Sequence, residues 1–266
     1  MINYRKSFIA GIVAGIVLWL GLSPRMATPL YEAVLMPRYR NQDVDKINSA
    51  EVSRVHFVAR GIKLEGMLYK HPDSQKIVLY CGGRRSNFAK LALPAKALLR
   101  MGVSVFVWEP AGFGDACSRA SLHGLVAAGL SAYDVVVSLG YAEENIVLYG
   151  ESLGAAVATY VSERRAASGL ILQSGFSSLA RLLRVFPTAL YPQPRLANTA
   201  SLKRGHPPLL IVHGDEDDVV NMAHAHRLAT AAGSNTTLAI LAGAGHYALH
   251  SRSDWFEAVS AFLRSL

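Results

Sequence analysis

The chain has 266 residues, 51% of them hydrophobic and 17% charged, which supplies a sizeable core and excludes a disordered polyelectrolyte. Its formal charge is +8, yet residues 1–40 alone carry five basic residues against one acidic residue, and no basic run longer than a pair follows. That distribution lacks the basic, aromatic-interleaved stripe of a nucleic-acid binder, so no nucleic-acid partner is expected. The two cysteines, Cys81 and Cys117, have no metal-binding spacing and predict neither a zinc site nor a disulfide framework.

Taken in chain order, Phe8 to Leu22 is uncharged for fifteen residues and follows Arg5 and Lys6. As a helix it would span roughly 22 Å, short of the ~30 Å hydrocarbon core unless its neighbours join it or the bilayer thins. A cleavable signal peptide needs small residues at −3 and −1. Cutting after Ala27 would leave Arg25 at −3, and cutting after Ser23 would put Pro24 at +1. The favoured reading is therefore an uncleaved anchor over residues 1–25, contacting the membrane through residues 8–22. The basic residues ahead of it place the bulk of the chain on the non-cytoplasmic side; a cleaved segment would make the protein secreted. Residues 26–50 read as an amphipathic connector, with Leu30, Tyr31, Val34, Leu35 and Met36 on one helical face.

From residue 52 the periods change, and residues 51–266 read as one domain. Val52–Arg60 and Leu64–Lys70 alternate around Gly61, which predicts an antiparallel hairpin. Short apolar runs then recur at Ile77–Tyr80, Val103–Trp108, Ile146–Tyr149, Gly169–Leu172, Leu209–Val212 and Leu238–Leu241. Such runs suit strands buried on both faces of a parallel sheet. Helical patterns separate them at Lys90–Arg100, Leu122–Leu139, Leu153–Arg165 and Met222–Ala232, and Asp254–Leu266 closes the chain. The alternation predicts an α/β fold, a mostly parallel sheet covered on both sides with its site at the carboxyl ends of the strands. The stretch between Gln173 and Pro208 holds Pro187, Pro192 and Pro194, so any lid, about residues 175–207, is small.

Ile146-Val147-Leu148-Tyr149 leads straight into Gly150-Glu151-Ser152-Leu153-Gly154, and an apolar helical pattern follows. A serine on so tight a strand-to-helix turn is lifted above the sheet edge, with the helix N-terminus beneath it. A serine hydroxyl is too weak an acid to ionise unaided at neutral pH, so a histidine must take its proton and an acid must orient that histidine. Downstream, one strand ends in His213-Gly214-Asp215-Glu216-Asp217-Asp218 and another in Gly243-Ala244-Gly245-His246. Both groups leave strand ends on the rim where Ser152 sits. His246 is the candidate base, with His250 as its rival further along. Asp217, Asp215 and Asp218 are the candidate acids, in that order.

These segments resemble the α/β-hydrolase superfamily over about residues 50–266. The likeness is closest to its small serine hydrolases with a membrane-attached N-terminus, the group that includes protein depalmitoylases and related bacterial enzymes. The shared pattern is Gly150-Glu151-Ser152-Leu153-Gly154, His213-Gly214-x-x-Asp217-x-x-Val220 and Gly243-Ala244-Gly245-His246. The resemblance implies the α/β-hydrolase fold with Ser152 as nucleophile, Asp217 as acid and His246 as base, and makes His213 a structural residue. Trp108-Glu109-Pro110-Ala111-Gly112-Phe113-Gly114 matches the family's aromatic-Asp-x-x-Gly-aromatic-Gly, with glutamate for aspartate. The family's His-Gly-x after the first core strand is Cys81-Gly82-Gly83 here. By position the amides of Gly83 and Leu153 form the oxyanion hole, since a backbone amide donates whatever its side chain. Nothing around Cys81 resembles an elbow, and it reads as a packed small residue. Arg84 and Arg85 are placed to draw anionic substrates or to remain solvated, and Phe176, Phe186 and Tyr191 fall where a short lid would line an acyl pocket.

The expected chemistry is hydrolysis of a carboxylic ester or thioester, of acyl or lipid type, through an acyl-enzyme, with no metal and no cofactor. The rivals are a catalytically silent binding protein on the same fold, an amide-cleaving peptidase-like enzyme, and a thioesterase acting on a soluble acyl carrier.

Overall fold

Strands β1 (Val52–Ala59) and β2 (Ile62–Tyr69) form the expected antiparallel hairpin, turning at Arg60 and Gly61, which take φ of 52° and 78°. The structure, a computed structural model, describes residues 52–84, 86–110, 121–183 and 196–266. The anchor read at residues 8–22, the connector at 26–50, Arg85, Cys117, Phe186 and Tyr191 lie outside the described residues. Among the described residues no helix is long and apolar enough to cross a membrane.

Six further strands follow: β3 (Ile77–Cys81), β4 (Ser104–Trp108), β5 (Ile146–Glu151), β6 (Gly169–Gln173), β7 (Leu209–Gly214) and β8 (Thr236–Leu241). They join the hairpin in one eight-stranded sheet ordered β1-β2-β4-β3-β5-β6-β7-β8. β2 pairs antiparallel with β4, and every pairing from β4 through β8 is parallel. β3 and β4 are buried at every residue, as the continuous apolar runs require of strands covered on both faces.

Strand alternation sends successive side chains to opposite faces, and each face has its own helices. Ile77, Leu79, Phe106, Leu148 and Leu170 pack under α2 (Leu122–Ser138), α3 (Leu153–Ser162) and α6 (Ala223–Ala232). Val78, Tyr80, Val105, Val147 and Tyr149 pack under α1 (Phe88–Leu99) and the C-terminal α7 (Ser253–Ser265). Truncating one of these fully buried side chains, as in Leu148→Ala, would destabilise the fold by about 2–5 kcal/mol.

Three details depart from the sequence reading. α1 begins at Phe88, two residues early, because the Asn87 side chain accepts the Lys90 amide and caps the helix. β8 begins at Thr236 and is only partly buried before Leu241; it is the edge strand and not a strand covered on both faces. Two five-residue helices, α4 (Leu179–Leu183) and α5 (Asn198–Leu202), lie in the lid region; they are too short to show a helical period.

Candidate active site

β5 delivers Ser152 to the sheet edge, and α3 begins at the next residue. Ser152 has φ 53° and ψ −114°, and its amide donates to the Gln173 carbonyl at 2.9 Å, which pins the turn to β6. The turn needs its glycines. A Cβ on Gly150 would lie 2.4 Å from the Ala155 Cα, and one on Gly154 would lie 1.9 Å from the Cys81 carbonyl oxygen. Backbone atoms cannot yield at such distances, so strand, turn and helix pack this closely only without side chains at 150 and 154.

β7 and β8 supply the partners. His246 Nε2 lies 3.1 Å from Ser152 Oγ, and His246 Nδ1 lies 2.7 Å from Asp217 Oδ2. The other carboxylate oxygen, Oδ1, accepts the amides of Val219 (2.9 Å) and Val220 (2.7 Å). Among the acids of this loop, Asp217 is buried while Asp215, Glu216 and Asp218 are exposed. Asp215 serves the neighbouring loop instead, its Oδ1 accepting the Gly243 amide at 2.7 Å and so bracing the segment that carries His246. Burial alone would raise the Asp217 carboxyl, but hydrogen bonds from His213, His246 and the Val220 amide outweigh it and hold the group well below the usual carboxylate range. His213 is fully buried; its Nε2 lies 2.7 Å from the Val220 carbonyl and 3.2 Å from Asp217 Oδ2, so it shapes the acid's loop.

On the other side of Ser152, a Cβ on Gly83 would sit 3.3 Å from the Ser152 Cβ, so the loop after β3 abuts the serine. Leu153 opens α3, where amides have no acceptor within the helix. Glu109, the residue standing for the family's aspartate, is 5% exposed and accepts the Phe88 amide at 2.7 Å, tying the start of α1 to the end of β4. Cys81 lies fully buried beneath this loop, and burial pushes its thiol up to about 12. It is inert packing, as the sequence reading expects.

A cavity of about 560 Å3 opens over Ser152 and His246. Phe176 lines it as expected, with Leu153, Leu179, Leu182, Val219 and Val220 on the same side. Arg84 also lines it. His250, the rival base, lies in the 3-10 turn Leu249–Ser251 and borders the cavity near Glu151; burial pushes its imidazole below the usual range. The sequence does not single out Glu151, because the residue ahead of the serine in such an elbow is variable. Its Oε2 accepts the Tyr80 hydroxyl at 2.6 Å, and burial together with the Glu151 charge raises the Tyr80 phenol so that it stays protonated. Among the described residues no group of three or more histidine, cysteine or acidic side chains is placed to hold a metal ion.

The sheet order, the strand-to-helix elbow and the rim of downstream loops together define an α/β-hydrolase fold. Known proteins agree. The Prolyl oligopeptidase family matches residues 187–266. An uncharacterized protein of Mycobacterium tuberculosis is 32% identical over 193 residues, 70% of this chain and 69% of that protein. The alpha/beta hydrolase domain-containing protein aho-3 of Caenorhabditis elegans is 22% identical over 84% of this chain and 68% of its own length. Among solved structures, the Pyrococcus furiosus esterase Pf2001 superposes with a TM-score of 0.70 at 18% identity, covering 86% of this chain and 98% of that one. The chain belongs to the α/β-hydrolase superfamily.

Proposed function

We propose that this protein is a serine hydrolase that cleaves a carboxylic ester or thioester of an acyl or lipid type. The observation that carries the reading is the chain of hydrogen-bonding contacts from buried Asp217 through His246 to Ser152 Oγ beneath a largely apolar cavity. His246 Nε2 takes the serine proton as Oγ attacks the acyl carbonyl, and Asp217 holds the imidazole in the tautomer that leaves Nε2 free to accept. The amides of Gly83 and Leu153 receive the developing oxyanion. His246 then gives the proton to the leaving atom, and the acyl-enzyme is released by water that His246 activates. The residues suffice for this chemistry without a metal or cofactor. The apolar segment at residues 8–22 would hold the enzyme at a membrane, where acyl substrates are presented.

Labelling of the full chain by a fluorophosphonate probe and hydrolysis of short acyl esters test the reading. Both are expected, and both should vanish in Ser152→Ala. A Ser152→Ala variant that still turned over the esters would refute the mechanism. A second reading, cleavage of a peptide amide, is favoured by the match of residues 187–266 to the Prolyl oligopeptidase family, since that stretch holds both Asp217 and His246. Turnover of dipeptide anilides faster than of esters with the same acyl group would favour it.

A further inference from the structure

The cavity over Ser152 is built from two unlike walls. One rises from the α2–α3–α6 face of the sheet and the loops after β6 and β7: Leu153, Phe176, Leu179, Leu182, Val219 and Val220, without a polar side chain. The other rises from the α1–α7 face and carries Arg84, Ser86, Lys90, Glu151 and His250, together with three apolar residues of α1. The division follows from strand alternation. Glu151 is two residues beyond Tyr149 on β5 and so shares its face, where Tyr80 and Tyr149 stack with ring centroids 4.7 Å apart.

Glu151 is half-buried and immediately precedes the serine. Its Oε2 is held by the Tyr80 hydroxyl, and its Oε1 takes no hydrogen bond from the described residues. A fixed carboxylate with an oxygen open to the cavity is an acceptor waiting for a donor. Lys90 on the same wall is a donor, and Ser86 and His250 can act either way. A cationic group would be opposed by Lys90 and an anionic group by Glu151. A cluster of hydroxyls, which donates and accepts at once, suits these four side chains.

We infer that this wall is a leaving-group subsite for a polyol, with Glu151 as its specificity-determining acceptor, and that the apolar wall takes the acyl chain. The inference rests on the ester-hydrolase reading and sharpens it to oxygen esters of a polyhydroxylated alcohol. Attack by Ser152 Oγ breaks the acyl C–O bond, the proton passes through His246 to the departing alkoxide, and the free polyol and acyl-enzyme result.

The test compares full-chain protein on octanoyl esters of glycerol, ethanol and glycolate and on octanoyl-N-acetylcysteamine. The glycerol ester should lead the ethyl ester in kcat/KM by about tenfold or more, with glycolate last. Glu151→Gln should remove that lead through KM, bringing kcat/KM for the glycerol and ethyl esters to within about twofold of each other. An equal fall on both esters, or an undiminished glycerol preference, would overturn the subsite. A binding arm needs no turnover: in a Ser152→Ala background, calorimetry with 1-O-octylglycerol should show about tenfold weaker binding when Glu151→Gln is added. If Glu151 proved irrelevant there, the inference would fall. If ether binding depended on Glu151 while the wild-type chain cleaved no ester, the subsite would stand and the hydrolase reading would fail.

Discussion

Replacing Asp217 by asparagine tests the site at its most constrained point. Oδ1 of Asp217 accepts two backbone amides, from Val219 and Val220, while Oδ2 faces His246 Nδ1 at 2.7 Å. Asparagine has one acceptor oxygen, and the two amides claim it. The NH2 group must then face His246 Nδ1, and the imidazole can meet a donor there only by carrying its own proton on Nε2. That proton would point at Ser152 Oγ, 3.1 Å away, so His246 could no longer act as the proposed base toward the serine. A comparable change in a protease triad lowers turnover by about ten-thousand-fold, so a thousand- to ten-thousand-fold loss in kcat is expected here, roughly 4–5.5 kcal/mol of barrier. The assay is kcat on a short acyl ester, with thermal unfolding as the check on folding and Asp218→Ala, an exposed neighbour, as the control. An Asp217→Asn enzyme within about tenfold of wild type, or an Asp218→Ala enzyme equally impaired, would refute the assignment.

The same carboxylate links stability to pH. Its folded pKa is depressed below the ordinary value, so its contribution is present above about pH 4 and is lost as pH falls through the folded value. Wild-type unfolding temperature should therefore drop more steeply than that of Asp217→Asn below about pH 4, and parallel curves would contradict this. Gly154→Ala should destabilise the fold by about 3 kcal/mol or more in chemical denaturation, because its Cβ would meet the Cys81 backbone at 1.9 Å; a loss below about 1 kcal/mol would show that the elbow can open. In a Cys117→Ser background, Cys81 should resist alkylation at pH 8 until the protein unfolds, and labelling of the folded chain would contradict its burial.

The elbow is legible in the sequence because its requirements are local. Gly150 and Gly154 are needed where strand and helix nearly touch, and the apolar run before them marks the strand. The histidine is legible because it follows a strand end by a few residues. Choosing among Asp215, Asp217 and Asp218 from the residues is harder, since three aspartates in one loop differ only in which one turns inward. Burial of Asp217 and the bond from Asp215 to the Gly243 amide supply what the residues leave open. The sequence assigns no role to Glu109 or Glu151, because each acts across strands distant along the chain. Glu109 meets Phe88, the first residue of α1, and Glu151 meets Tyr80 only because β3 lies between β4 and β5. Thr236 and Thr237 read as polar and fall outside the apolar run that marks β8. An edge strand invites that shortfall, since one flank of such a strand has no neighbour to demand apolar residues.

The backbone of Ser152, at φ 53° and ψ −114°, has a consequence for how this chain evolves. That conformation is uncomfortable for any residue with a side chain, by about 1–3 kcal/mol, and glycine would relieve it. Ser152→Gly should therefore unfold at higher temperature than the wild type while losing the proposed nucleophile, and an unchanged or lower unfolding temperature would show the turn to be relaxed. Under the proposed mechanism, a lineage released from catalysis would drift toward glycine at this position. On the proposed reading, the strain at this position serves the chemistry of the serine and not the fold.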